Sequence, residues 1–216
     1  MLGKCKLPKW KRLHQREQCQ NFFTRIYRNY EDQKIIAYAE SGEIAVDVGC
    51  GEGIILEKFL SKYPQKKTIG VDVLVENVMI CKKHNLPALV NDVYALCFKD
   101  NSIDHCFFMQ TLEHLNQPDK ALSEIKRALK PGGSVVITVP NDLVYTLTRL
   151  ATFRWKLVLC PGIQTALYPP KHVKQWRPRT IKEYLEKLGF EVIVQKNLPL
   201  YFWMISVNHL VVARKK

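Results

Sequence analysis

The sequence predicts an α/β fold built on a mainly parallel β-sheet, and three observations lead to this prediction. Short apolar runs alternate with amphipathic stretches of helical length through the middle of the chain. A glycine-rich turn follows the first apolar run, in "VDVGCGEG". Near the end, "TIKEYLEKLGFEVIVQK" has the pattern of a helix, a glycine cap and a strand. Strands that alternate with helices are typical of βαβ units and a parallel sheet.

The elements follow one another in a regular order along the chain. The apolar runs predict five strands, at Ile44–Val48, Thr68–Val71, Ala88–Val90, Ile103–Met109 and Ser134–Val139. The amphipathic stretches between them predict three helices, at Ile54–Tyr63, Val75–His84 and Asp119–Leu129. The third helix leads into "LKPGG", where proline and glycine are typical of a helix end. We expect Leu210–Ala213 to form a last strand, paired with its predecessor as an antiparallel hairpin.

Two segments lie outside this alternation. Residues 1–40 are predicted to form a basic helical extension, and residues 41–216 the main domain. The extension has Trp10, Phe23, Ile26 and Tyr30 at roughly helical spacing, with basic residues between them. At about 143–170 an apolar insertion follows the fifth strand. We interpret it as a lid or a helix on the substrate side.

The positive charge is concentrated at the two ends of the chain. The net charge is +13, and residues 1–28 and 170–216 carry +7 each, whereas residues 29–169 carry −1. This distribution indicates an anionic partner, which could be a phosphorylated substrate, a lipid headgroup surface or RNA. A basic surface that serves only solubility would have the same composition.

The seven cysteines are scattered and form no CxxC pair. A zinc site or a disulfide framework is therefore not expected, and a reducing compartment fits best, so we expect a cytoplasmic location. The sequence shows neither a secretory signal nor an apolar stretch long enough to cross a bilayer.

The glycine-rich turn places Gly49, Gly51 and Gly53 at every second position. A dinucleotide-binding fingerprint would need a third glycine where this chain has Ile54, and a P-loop would need a Gly-Lys-Ser/Thr sequence that is absent. Asp47 precedes the first glycine by two residues. Its negative charge would repel a pyrophosphate and suits a ligand with an ammonium group.

These residues resemble the class I S-adenosylmethionine-dependent methyltransferases, in particular the type 11 small-molecule branch. The similarity covers about Ile35–Asn141 and includes "VDVGCGEG", "TIGVDV", "VNDVYALCF" and "IKRALKPGGSVVITVPN". The resemblance implies a Rossmann-like three-layer sandwich with a mostly parallel seven-stranded sheet and an antiparallel last strand. It also implies S-adenosylmethionine as the cofactor.

The resemblance assigns roles to individual residues. Asp47 would lie near the amino group of the methionine moiety, and Asp72 would accept hydrogen bonds from the ribose hydroxyls. Asp92 would approach the adenine amino group, with Val93 against the ring. Any one of these aspartates could be a simple turn or cap residue, but the matching register of the whole set makes that improbable. The predicted cofactor-binding residues are Asp47, Gly49, Gly51, Gly53, Asp72, Asp92, Val93 and Gln110.

The acceptor side is predicted from "MQTLEHLNQP" at the end of the fourth strand. His114 is a candidate general base, and His172 is a second candidate near the acceptor. Some members of the family carry Glu-x-x-Glu-His here and bind a divalent metal, but this chain has Gln110 at the first position. We therefore predict no metal. The alternative is that Glu113 and His114 only begin the next helix.

The predicted reaction is methylation of an oxygen on a small or lipidic, anionic acceptor. The basic N-terminal helix and the apolar insertion favour an acceptor at or near a membrane, with peripheral contact to an anionic lipid surface. The resemblance implies an alternative for this helix, which is to cover the cofactor pocket, as N-terminal helices often do in this fold. An RNA methyltransferase that uses the basic ends is the alternative. A third hypothesis is a cofactor-binding regulator without catalytic activity.

Overall fold

A computed structural model describes residues 22–141, 144, 176–198 and 207–216. The described helices are α1 (Phe22–Ala37), α2 (Ile54–Lys62), α3 (Val75–Lys83), α4 (Pro118–Ala128) and α5 (Pro178–Lys187). The strands are β1 (Ile44–Val48), β2 (Lys67–Asp72), β3 (Ala88–Val90), β4 (Ile103–Met109), β5 (Leu129–Pro140), β6 (Phe190–Leu198) and β7 (Asn208–Lys215). The start of the predicted extension, nearly all of the predicted insertion and His172 lie outside the described residues.

The seven strands form one sheet in the order β3-β2-β1-β4-β5-β7-β6. Neighbours from β3 to β5 pair in parallel, whereas β7 pairs antiparallel with both β5 and β6. This topology confirms the predicted fold class, including the antiparallel last strand. In the described part of the chain, no helix is long and apolar enough to cross a bilayer.

The structure corrects the predicted boundary between the third helix and the fifth strand. α4 ends at Ala128 and β5 begins at Leu129, so "LKPGG" belongs to the strand and not to a loop before Ser134. Leu129 pairs with Ile103, and after an irregularity in the register Ser134 pairs with His105. The helix stop was predicted correctly, but pairing with β4 draws the residues after it into the sheet.

The two faces of the sheet bury separate parts of the hydrophobic core. On one face, α4 contributes an apolar stripe that includes Leu122 and Ile125. On the other face, Ile35 and Ile36 of α1 pack in one cluster with Phe107 of β4. Each such buried side chain stabilises the fold by roughly 1.5–3 kcal/mol. The end of the predicted extension is therefore part of the core, while the domain boundary at residue 40 stays a prediction.

The order of the strands also indicates where a ligand would bind. After β3 at the edge of the sheet, the chain crosses back to place β4 on the other side of β1. In open α/β sheets, ligands bind at the carboxyl ends of the strands beside such a reversal. The glycine-rich turn after β1 lies at this position.

Candidate functional site

The glycine-rich turn adopts a backbone conformation that side chains rarely allow. Gly49, Gly51 and Gly53 have φ angles of 72°, 53° and 75°, all in the left-handed region. A Cβ atom on Gly49 would lie 2.5 Å from Oγ1 of Thr111, which is closer than real Cβ contacts come. Position 49 therefore has neither the backbone conformation nor the room for a side chain, and the turn leads directly into α2.

Asp72, at the end of β2, holds this turn in place. Its Oδ2 accepts a hydrogen bond from the backbone N–H of Gly51 at 2.8 Å, and its Oδ1 accepts one from Leu74 at 2.8 Å. The side chain is buried. Each carboxylate oxygen can accept more than one hydrogen bond, so these contacts leave acceptor capacity for ligand hydroxyls. The sequence did not indicate this second, structural role.

A cavity of about 230 Å³ opens at the carboxyl ends of β1 and β4. Three of the predicted cofactor residues line it, namely Asp47, Gly49 and Gln110. Helix α1 forms one wall of the cavity, and the start of α2 forms another. The other described lining residues are Arg28, Glu31, Asp32, Ile35, Cys50, Ile54, Ile55, Met109, Thr138 and Asn208.

The pKa of Asp47 is strongly perturbed by its position in this cavity. Burial raises its pKa to about 7, the negative charge of Asp72 adds to the rise, and a hydrogen bond from the Leu56 backbone opposes it. A cationic group placed beside Asp47 would stabilise the ionised carboxylate. The buried carboxyl group of Asp47 and the glycine backbone beside it together fit the amino acid end of S-adenosylmethionine, which carries an ammonium group.

The side chain of Gln110 is held at the end of β4 by a network of hydrogen bonds. Its Nε2 donates to Oγ1 of Thr138 at 3.2 Å and to Oδ1 of Asn208 at 3.3 Å. The amide of Asn208 in turn donates to Oε1 of Glu31 at 2.5 Å. Gln110 has a φ of 48°, a conformation that costs a non-glycine residue about 1–3 kcal/mol. Such strain is concentrated at functional sites.

Asp92 and Val93 lie beyond β3 and are not among the described residues that line the cavity. Asp92 is exposed and accepts a hydrogen bond from the Tyr94 backbone at 2.9 Å, which is the geometry of a turn residue. Val73 and Leu74 directly follow Asp72 and are 62% and 53% exposed. They lie near Asp92, because the backbone N–H of Asn91 donates a hydrogen bond to the carbonyl of Asp72. They offer an apolar surface suited to a flat ring beside two carboxylates.

His114 does not lie among the described residues that line the cavity. It ends a short 3-10 helix at Leu112–His114, and its side chain is 40% exposed. Its Nε2 lies 3.9 Å from Oε1 of the buried Glu113. A catalytic role for His114 therefore stays a prediction, as does the role of His172. Among the described residues, no group of three or more His, Cys, Asp or Glu could hold a metal ion.

The cavity residues that sequence reasoning missed come mainly from distant parts of the chain. Arg28, Glu31 and Asp32 lie on α1, and Asn208 begins β7. No local motif marks these residues, because only the packing of α1 and the order of the strands bring them to β1 and β4. Val73 and Leu74 are not among the residues that line the cavity, but the sequence indicated them, since an apolar pair directly follows the predicted ribose-binding acid.

Comparisons with known proteins agree with this geometry. Residues 46–137 match the family described as a methyltransferase domain. A tRNA (carboxymethyluridine(34)-5-O)-methyltransferase of Arabidopsis thaliana is 35% identical over 112 residues, which are 49% of this chain and 27% of that protein. The mitochondrial ubiquinone biosynthesis O-methyltransferase of Dictyostelium discoideum is 24% identical over 167 residues, which are 63% of this chain and 51% of that protein. The chain thus spans about half or less of the length of these relatives.

Solved structures share the fold over most of the chain. A crystal structure of an S-adenosylmethionine-dependent methyltransferase from Archaeoglobus fulgidus has a TM-score of 0.62 and 18% sequence identity, and the match covers 89% of this chain and 98% of that one. At this identity the likeness shows the fold. Residues 46–137 thus match a methyltransferase domain, and the chain shares the fold of S-adenosylmethionine-dependent methyltransferases.

Proposed function

We propose that this protein transfers a methyl group from S-adenosylmethionine to an oxygen of a small or lipidic, anionic acceptor. The observation that carries the cofactor part of the proposal is the cavity where buried Asp47, bare Gly49 and strained Gln110 converge. The bound cofactor would supply an electrophilic methyl group on a sulfonium. Asp47 would hold its ammonium group, and Asp72 its ribose hydroxyls.

The protein's own contribution to the reaction would be positioning. Closely placed, correctly oriented reactants account for a large part of the rate enhancement in a direct displacement. The hydrogen-bonded chain from Glu31 through Asn208 to Gln110 fixes polar groups at the end of β4, where the acceptor side was predicted. The similarity to a ubiquinone biosynthesis O-methyltransferase supports oxygen as the acceptor atom.

The positive charge at the two ends supports an anionic acceptor or an anionic surface around it. Contact with a lipid headgroup surface would bring a lipidic acceptor to the cavity. The described lining of the cavity contains three carboxylates and one guanidinium, so it does not supply this positive charge itself. We therefore assign recognition of an anionic acceptor to the basic ends.

A tRNA methyltransferase is the second candidate function. The similarity to the Arabidopsis tRNA methyltransferase supports it, and so do the basic ends. Phosphate contacts would make binding to RNA strongly dependent on salt. A protein with a cofactor site but no transfer activity is the remaining alternative.

Labelled cofactor distinguishes these candidates. The purified full chain is incubated with S-adenosylmethionine that carries a radioactive methyl group and with separate lipid, small-molecule and RNA fractions of a cell extract. We expect label in the lipid or small-molecule fraction, with the methyl group on oxygen as a methyl ether or a methyl ester. Label that enters RNA and is released by ribonuclease would contradict the proposal and support the second candidate.

A further inference from the structure

The side-chain amide of Gln110 has two possible orientations, and its neighbours select one of them. Half a turn of the amide would exchange its donor nitrogen and its acceptor oxygen. Nε2 of Gln110 donates to Oγ1 of Thr138 on β5 at 3.2 Å and to Oδ1 of Asn208 on β7 at 3.3 Å. Asn208 in turn donates to Glu31 on α1 at 2.5 Å. All four residues line the cavity, so this orientation decides which atom of Gln110 faces a ligand.

Glu31 sets the direction of these hydrogen bonds. An ionised carboxylate can only accept, so Asn208 must turn its amide nitrogen towards Glu31. The amide oxygen of Asn208 then faces Gln110, and Gln110 must present its nitrogen. Glu31 and Asn208 are both buried, and buried polar groups are rarely left without a hydrogen bond. The orientation of Gln110 therefore follows from the carboxylate on α1, which is distant in the sequence.

The atom of Gln110 that is left for a ligand is its amide oxygen. Both hydrogens of Nε2 are used by Thr138 and Asn208, and Oε1 lies on the other side of the amide. Within residues 22–141, 144, 176–198 and 207–216, no hydrogen bond to Oε1 is found. The backbone is fixed as well, because the N–H of Gln110 donates to the carbonyl of Thr138 at 3.0 Å. The end of β4 thus offers a firmly held hydrogen-bond acceptor.

We propose that Oε1 of Gln110 accepts a hydrogen bond from the hydroxyl group that is methylated, with Glu31 and Asn208 as positioning residues. This inference rests on the proposed function and narrows its acceptor to a hydroxyl compound. A carboxylate acceptor has no hydrogen to donate, and its charge would face the partial negative charge of Oε1. In the transfer, the hydroxyl oxygen gains the methyl group, the carbon–sulfur bond breaks with its electron pair left on sulfur, and the hydroxyl proton passes to water. The product is a methyl ether.

The orientation is tested on the full chain alone by heteronuclear NMR. The side-chain amide signal that disappears in Gln110→Glu belongs to Gln110. Because both of its hydrogens are held by the cavity wall, they should exchange with water at least about tenfold more slowly than those of the exposed Gln33. Exchange as fast as at Gln33 would overturn the inference, since Nε2 would then face the open cavity.

A reciprocal exchange of carboxylate and amide tests the positioning residues. Glu31→Gln can donate as well as accept, so it no longer fixes Asn208, and the Gln110 amide should exchange at least about threefold faster. In the double variant Glu31→Gln/Asn208→Asp, the group that can only accept lies next to Gln110, so slow exchange should return. Glu43→Gln, the same change at an exposed position outside the cavity, should behave as the wild type. A double variant that exchanges no more slowly than Glu31→Gln would overturn the inference.

The hydroxyl acceptor is tested by the stability of the transferred label. The full chain is incubated with methyl-labelled S-adenosylmethionine and the lipid and small-molecule fractions, and the products are treated with mild alkali, which releases methyl esters as methanol and leaves methyl ethers intact. We expect the label to stay in the product, and Glu31→Gln to transfer it about tenfold more slowly, with recovery in the double variant. Release as methanol would overturn the inference and leave the proposed function standing. If neither fraction is labelled, the proposed function fails and the hydroxyl assignment fails with it, whereas the amide exchange still decides the orientation of Gln110.

Discussion

At the scale of single residues, the site combines a conformational requirement with an electrostatic one. The turn after β1 needs left-handed backbone at Gly49, Gly51 and Gly53, and the strand before it buries a carboxylate at Asp47. Both features were predictable, because the glycine spacing and the preceding acid are visible in the sequence. The raised pKa of Asp47 was not, since it depends on burial and on the nearness of Asp72.

Replacing Asp47 should stabilise the protein while removing its ligand binding. The folded-state pKa of about 7 is raised above the ordinary aspartate value of 3.8, so the contribution of Asp47 to stability is full below about pH 4 and is lost as the pH rises through 7. Asp47→Asn should therefore raise the free energy of unfolding at pH 8 by about 1–3 kcal/mol, and by much less at pH 4. Urea denaturation of the ligand-free protein at both pH values measures this difference. Equal stability of the two proteins at pH 8 would contradict the assignment.

A comparison of alanine substitutions at Gly53 and Gly132 separates the effect of packing in the turn from the effect of its backbone conformation. Gly53 and Gly132 have similar φ angles of 75° and 77°. A Cβ on Gly53 would lie 2.7 Å from Leu86 and 2.9 Å from Cys81, whereas a Cβ on Gly132 meets nothing within 4 Å. Gly53→Ala should cost about 2–4 kcal/mol in stability, and the control Gly132→Ala only about 1 kcal/mol. Equal losses in thermal unfolding would show that the turn tolerates a side chain at Gly53.

At the scale of elements, the strands and helices were largely predictable, but the walls of the cavity were not. β1, β3 and β4 begin and end where the apolar runs predicted. β5 begins earlier than predicted because pairing with β4 overrides the helix-stop and turn preferences of "LKPGG". The resemblance offered α1 as a cover of the cofactor pocket, but its basic and apolar residues alone give no indication of which part of the sheet it will cover.

The contact between α1 and α2 is expected to order α1 and to stabilise the domain. Lys58 is partly exposed but Asp32 is buried, so Lys58→Met leaves a buried carboxylate without its cation and should lower the free energy of unfolding by about 1–3 kcal/mol. Lys58→Met should also speed amide hydrogen exchange in the first half of α1, while exchange in β1 and β4 stays slow. Exchange is followed by mass spectrometry of peptides from each element. Unchanged exchange in α1 would show that its position depends on the core contacts of Ile35 and Ile36 alone.

At the scale of the whole molecule, charge is distributed unevenly along the chain. The central part of the chain is nearly neutral, whereas both ends are strongly basic. The family, the fold and the cofactor follow from the central part, where the motifs and the topology agree. The acceptor is not specified there, and the basic ends to which we assign its recognition have a charge that is visible in the sequence but carry no motif that specifies their chemistry.

The basic ends should direct the whole protein to an anionic surface. We expect co-sedimentation with vesicles that contain phosphatidylserine, but not with vesicles of phosphatidylcholine alone, and weaker binding as the salt concentration rises. Transfer RNA added as a competitor measures the alternative partner. Binding to tRNA that persists where vesicle binding is absent would favour the RNA methyltransferase over the lipidic acceptor.

The most direct test of the central claim is a calorimetric titration of the full chain with S-adenosylmethionine near pH 7, in buffers with different ionisation enthalpies. The account predicts one ligand per chain and the release of up to about half a proton on binding, because the ligand's ammonium group would lower the pKa of Asp47 from about 7. Asp47→Asn should bind far more weakly and release no such proton. The absence of binding to the wild-type protein, or equal binding to Asp47→Asn, would contradict the account.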